Sequence, residues 1–245
     1  VIIKAFPLPG IFFYNLYVMS EIFNKLLLLR SPGIGPAKYT KLIQKFGSVS
    51  NAIESFDVSD TVRDTVMHEI EYTKHIGAIY ICDTDNLYPE NLRKIKNHPP
   101  VLVARGNTDT LHRPAVSIVG TRHATITGME FITNLAQKFA EHGVAVVSGM
   151  AMGTDTAAHS GALNANGNMQ TIAVLAGGVD YIWPIENESL YYQIIERGVI
   201  ISEMPVGYKA NATNFVQRNR LIAGIGEKLI LGEADENSGS MHTAR

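Results

Sequence analysis

The chain has almost no cysteine. Its single one, Cys82, excludes an internal disulfide and leaves no pair at metal-ligand spacing, which fits a reducing, cytoplasmic setting. Strong charge of either sign is also missing. The formal net charge of −2 excludes a protein wrapped in nucleic acid through bulk positive charge, so any polyanion site must be a local cluster. Residues 1–110 carry 12 Lys+Arg against 11 Asp+Glu, and residues 111–245 carry 9 against 12. Four of those nine, Arg122, Lys209, Arg218 and Arg220, stand in or near glycine- or asparagine-rich turns. A membrane-spanning run is lacking too. The opening "VIIKAFPLPGIFFYNLYV" is apolar, but prolines and Asn15 interrupt it, it is too short to cross a bilayer, and it has no small-residue cleavage site. Residues 1–18 therefore read as a non-native or upstream extension, with Met19 as the natural start and no membrane partner.

What remains is rich enough in apolar residues, 46% of 245, to bury a good core in one large domain plus a small one. Residues 19–85 form the small domain and pattern as helix throughout. Ser20 stands where a cap would, and apolar residues recur at Ile22, Leu26 and Leu29. Two amphipathic stretches follow, separated by Gly47, and the turn Gly33-Ile34-Gly35-Pro36 opens the first. That turn is either a helix-hairpin-helix (SAM-like) element, whose backbone N–H groups can hold a phosphate, or a tight turn in a small bundle. Residues 86–114, "YPENLRKIKNHPPVLVARGN" among them, are a linker with a lead-in strand at Val101–Ala104.

From residue 115 to 245 strands and helices alternate, which predicts an α/β, Rossmann-like doubly wound parallel sheet. Strands are expected at Ala115–Val119, Val144–Ser148, Thr171–Leu175, Val199–Ile201 and Lys228–Leu231. Helices are expected at Thr127–Glu141, Asp155–Asn164, Asn187–Glu196 and Asn214–Ala223. Glycines fall at three successive strand ends: Gly120 in "SIVGTRHATITG", Gly149 and Gly153 in "SGMAMGTD", and Gly177 and Gly178 in "AGGVD". Each alone is a turn that needs a small residue. Together they outline a rim of backbone N–H groups at helix N-termini, an anion site by geometry and dipole.

A nicotinamide enzyme would carry G-x-G-x-x-G in the first turn and an acid ending the second strand. Here the first turn reads G-T-R-H-A-T and the second strand ends at Ser148-Gly149, so both marks are absent. Asp155 and His159, four apart on one helix face, are an acid/base couple on paper; the alternative is a helix cap and a packed histidine. Phosphoribohydrolases of a related fold class are the enzymatic competitor, but their P-G-G-x-G-T-x-x-E signature is missing. The expectation is a protein that is not an enzyme and uses neither metal nor cofactor.

"SIVGTRHATITG", "VVSGMAMGTDTAAHSGAL", "TIAVLAGGVDYIWP", "ISEMPVG", "NFVQRNRLIAG" and "SGSMHTAR" come in an order and spacing that resembles the DNA-processing protein A (DprA/Smf) family. The linker and "LLLLRSPGIGPAKYTKLIQKFGS" are similar to that family's preceding segments. The resemblance implies a single-stranded DNA-binding protein of natural transformation and recombination that protects incoming strands and loads the recombinase RecA onto them. It implies that Gly120, Thr121 and Arg122 form the first DNA-contacting turn, with Arg122 replacing the dinucleotide glycine as a bidentate phosphate clamp. Ser148, Gly149 and Gly153 form the second turn and Gly177 and Gly178 the third. Arg218, Asn219 and Arg220 begin the next helix, where arginines oppose the dipole and call for an anion; the alternative is that they pair with Glu203, Asp235 or Glu233. Ser238, Gly239 and Ser240 look like a further structural turn. Two departures stand out: Glu186 and Glu188 follow the "YIWP" segment where many members have a lysine, and Val216 replaces a proline. The resemblance also implies a homodimer, and a sheet that continues past Arg245 with, in many members, a winged-helix domain after it.

Overall fold

In a computed structural model of the chain, residues 21–167, 170–235 and 239–244 are described. The expected extension over residues 1–18 and the natural start at Met19 lie outside them, as does Ser238. The chain divides into two compact units, Val1–Glu71 and Tyr72–Arg245.

The first unit is helical. It contains α1 (residues 21–30), α2 (Pro36–Phe46), α3 (Val49–Glu54) and most of α4 (Asp60–His75). Leu28, Ile34, Tyr39 and Ala52 form its core, so the isoleucine of the Gly33-Ile34-Gly35 turn is an anchor that faces inward. Pro36 occupies the first turn of α2, where its missing N–H costs nothing. Arg30 closes the unit with a bidentate pair to Glu69, both bonds at 2.7 Å.

Among the described residues the second unit has seven strands: β1 (Ala78–Cys82), β2 (Val101–Gly106), β3 (Ala115–Val119), β4 (Ala145–Ser148), β5 (Thr171–Val174), β6 (Val199–Ser202) and β7 (Lys228–Leu231). Their order in the sheet is β1-β2-β6-β5-β4-β3-β7. The run from β6 to β7 is parallel, as expected of a doubly wound sheet, and every residue of β3 to β6 is buried, as strands covered on both faces must be. The remaining helices are α5 (Glu90–Arg93), α6 (Ile126–Glu141), α7 (Thr154–Asn164), α8 (Glu188–Arg197), α9 (Ala212–Ile225) and α10 (Gly239–Ala244). Strand alternation sorts the core. Val116, Ile118 and Val146 pack with Ile132, Ala136 and Ala158 of α6 and α7, whereas Ala115, Val119 and Val147 pack with Leu221, Ile222 and Ile225 of α9.

Three features depart from the sequence reading. Strand β1 lies inside the stretch read as helix to residue 85. "AIYIC" is a short apolar run after Gly77, and only its pairing with β2 makes it a strand. The sheet is mixed, because β2 runs antiparallel to β6 and β1 antiparallel to β2. The connection from β1 carries only the single-turn α5, and β2 returns beside β1 as its antiparallel neighbour. Finally, α9 begins at Ala212, not Asn214. Asn211 caps it through a reciprocal box in which its side chain accepts from Thr213 and Asn214 N–H and Asn214 accepts from the Asn211 N–H.

Candidate nucleic-acid interface

The chain steps from β3 through β4 and β5 to β6 in one direction, then returns through α9 to place β7 on the other side of β3. The point where the direction reverses lies between β3 and β7, where a doubly wound sheet opens its ligand crevice. A cavity of about 320 Å³ sits there, lined among others by Gly120, Thr121, Arg122, Phe215, Arg218 and Asn219. Five sequence-expected residues are thus brought together: the first turn and the middle of α9.

The first turn is pinned from several sides. Thr121 N–H donates to the Glu233 carbonyl (2.6 Å), and the Thr121 carbonyl accepts from Thr154 N–H (3.2 Å). Thr125 caps α6 by accepting from Gly128 N–H, while its own N–H (2.7 Å) and hydroxyl donate to the two oxygens of the Glu233 carboxylate. Those two bonds, the hydroxyl's above all, hold the Glu233 carboxyl below the usual carboxylate range. Between the pins, the Arg122 guanidinium lies 5.1 Å from the centroid of Trp183 and 5.6 Å from that of Phe215. The two rings are themselves 4.5 Å apart, centroid to centroid. Such an arrangement joins a cation to two stacking faces.

The second turn is spent on its own support. Ser148 is fully buried and donates to the Ile118 carbonyl (2.7 Å). Gly149 and Ala151 N–H donate to Asp155 (3.2 and 3.3 Å). Gly149 has no room for a side chain, since a Cβ would lie 2.5 Å from the Arg218 guanidinium carbon. Gly153, at φ 73°, needs the left-handed freedom of glycine, and a Cβ there would come within 2.5 Å of the Thr121 carbonyl. At the third turn Gly177 and Gly178 lie against the backbone of Tyr208 and Pro205, and Gly178 N–H donates to the Tyr208 carbonyl (2.9 Å). Helix α8 starts only at Glu188, so no helix N-terminus follows this turn directly. Of the amides expected from sequence to form the rim, those of Thr121, Gly149 and Gly178 donate inside the protein, as do those of the neighbouring Thr125 and Ala151.

Arg218-Asn219-Arg220 sits in the middle of α9, and the dipole argument for an anion at a helix start does not apply there. Arg218 is 5% exposed and directs Nη1 at the carbonyls of Gly149 (2.7 Å) and Val174. Burial lowers its pKa to about 10, with Asp155 working in the opposite direction. Asp155, in turn, is pushed up by burial and pulled back by Arg218 and by its amide donors. Arg220 pairs with Glu203, a buried carboxyl that desolvation raises and Arg220 lowers. Of the three expected arginines, only Arg122 presents its charge to the cavity without an acidic partner among the described residues.

The Asp155–His159 couple is not assembled. His159 is fully buried and shares a 2.7 Å hydrogen bond with the Thr171 hydroxyl, and burial first, then Arg218, lowers its pKa to about 3. Asp155 is committed to the second-turn amides. Sequence reasoning missed Phe215, which reads as ordinary core, and expected Glu233 as a partner for the arginines, whereas it holds Thr125, 108 residues away. No local pattern marks either role.

Residues 79–245 match the family profile described as DNA recombination-mediator protein A, and residues 19–60 match that of a DprA-like N-terminal HHH domain. The chain is 34% identical over 236 residues to Protein Smf of Synechocystis sp., which covers 87% of this chain and 58% of that protein. It thus spans little more than half the length of that relative. Its fold is similar to the X-ray structure of DNA processing protein A from Streptococcus pneumoniae, with a TM-score of 0.73 at 28% identity over 90% of this chain and 81% of that one. It is also similar to DNA processing protein A from Helicobacter pylori, a structure that addresses that protein's single-stranded DNA binding mode. That match has a TM-score of 0.64 at 31% identity over 70% of this chain and 76% of the other.

Proposed function

Because the chain belongs to the DNA recombination-mediator protein A (DprA/Smf) family, we propose that its β3/β7 crevice binds single-stranded DNA without catalysing a reaction on it. The observation that carries this reading is Arg122 laid over Trp183 and Phe215. An unpaired strand offers a phosphate to the guanidinium and a base to the rings, and stacking of this kind contributes roughly 1–3 kcal/mol per base. Planar and multiply donating, the guanidinium can grip a phosphate through two oxygens. A duplex hides the base faces and gains only the charge.

In this reading the protein covers strands entering during natural transformation, passes them to RecA, and works as a cytoplasmic homodimer. Family membership supports these roles, and so does the single-stranded DNA binding of the Helicobacter pylori relative. Asp155 and His159, both buried and engaged, supply no exposed acid/base pair, which favours binding over phosphoribohydrolase chemistry.

A mobility-shift titration with single- and double-stranded oligonucleotides of equal length, at two salt concentrations, tests the reading. Single strands should bind more tightly. Arg122→Ala should weaken them almost equally for all sequences and flatten the salt slope by about 0.7, with Arg122→Lys recovering only part. Equal affinity for duplex, or an Arg122→Ala protein that binds undiminished, would remove the crevice from consideration.

A further inference from the structure

A second cavity, of about 430 Å³, lies on the outer side of α9. Its lining includes Ile95, Lys96, Arg220, Ala223 and Gly224, together with Val216, Asn219, Gly239 and Thr243. The last four also line the crevice at β3/β7, so the two hollows meet across α9. We propose that they form one continuous trough, and that a single strand leaving the crevice crosses α9 at Val216 and places its next phosphate on Lys96.

This rests on the reading of the crevice as a single-stranded DNA site. The trough continues the chemistry of the crevice. Its floor is apolar where Ile95 packs against α9, at Gly224, whose missing side chain lets Ile95 come close. Val216, at the junction, is 68% exposed, so its apolar side chain is open to a strand passing over it. Val216, Asn219 or Arg220, and Ala223 repeat at helical spacing, which lays one stripe along about 10 Å of α9. At its far end Lys96 is exposed and has no ion-pair partner among the described residues. The Arg220 side chain is 32% exposed, but Glu203 takes its Nη2 and its Nη1 is buried without a hydrogen-bond partner among the described residues, so it flanks the path and Lys96 carries the phosphate contact. Among the described residues lining either hollow the one acid is Asp155, which is buried. An unpaired lysine beside an apolar wall matches a phosphate beside a sugar and base.

Fluorescence anisotropy on the full chain, with labelled oligothymidylates of about 4 and about 16 nucleotides, tests the path. The short strand fills the crevice and the long one reaches the second hollow. Lys96→Ala should weaken the long strand more than the short one and flatten its salt slope by about 0.7; Lys96→Glu should do so more strongly. Lys138→Glu, an exposed change on α6, controls for bulk charge. Equal losses for both lengths, no loss for the long strand, or a Lys138→Glu effect as large as that of Lys96→Glu would each overturn the trough. Arg122→Ala is measured alongside. If it weakens both lengths while the Lys96 variants change nothing, the crevice stands and the trough falls; if it changes neither, both readings fall.

Discussion

Arg122 and Arg218 line the same cavity and carry the same charge, yet their surroundings give them opposite work. Arg218 is ligated by two carbonyls in a dry interior and balances the buried Asp155, so it behaves as a strut between β4, β5 and α9. Removing it leaves those carbonyls bare and a carboxylate uncompensated. Arg218→Ala should cost about 3 kcal/mol or more, read as a lower urea midpoint. Arg122→Ala should leave the midpoint within about 0.5 kcal/mol of the parent, because its guanidinium rests on ring faces and not on buried acceptors. A stable Arg218→Ala protein that had merely lost DNA affinity would contradict this division.

Helix α7 shows what a buried element demands. Eight of its residues are buried, on all sides, and small ones dominate; a Cβ on Gly161 would lie 2.8 Å from the Thr133 Cα on α6. One titratable base sits within this packing. His159 is held neutral, its pKa lowered from 6.5 to about 3. The unfolded chain therefore takes up a proton first as pH falls. The stability tied to His159 is complete above about pH 6.5 and is lost toward pH 3, by up to about tenfold in the folding constant per pH unit. Asp155, raised by burial, acts with the opposite sign but is common to parent and variant. Urea titrations at about pH 7 and about pH 5 should show the parent losing more stability than His159→Gln. Parallel losses would mean that His159 is not a buried neutral base.

At the scale of the whole molecule, the second unit has a Rossmann-like architecture whose first turn is built differently from that of a dinucleotide-binding domain. The α6 N-terminus, where a pyrophosphate would dock, already carries the Glu233 carboxylate. Arg122 stands where the second glycine would let a pyrophosphate approach. Calorimetry should find no saturable binding of NAD or NADP, and a micromolar constant for either would break the step from fold to function. In the proposed reading, the same closure leaves an anionic ligand to Arg122 and the aromatic pair, outside the helix dipole.

The strands β3 and β7 were legible to the residue, and β4, β5, β6 and α6 to α8 nearly so, because short apolar runs between glycine turns have few alternatives. The absent dinucleotide marks and the exceptional Arg122 were also local facts, readable from one turn. Strand β1 and the antiparallel edge were not, since direction and pairing depend on which sheet edge is open when the segments meet. The second and third turns looked like ligand-binding loops because the sequence shows a glycine but not what lies against it. Only the tertiary structure reveals that Gly149 makes room for Arg218, that Glu233 closes α6, and that Phe215 and Trp183 meet under Arg122. Local backbone preference acts through neighbours in the chain and is written in the sequence. Which charge is buried and which faces the crevice is set by contacts between residues tens to more than a hundred positions apart, and folding alone decides it.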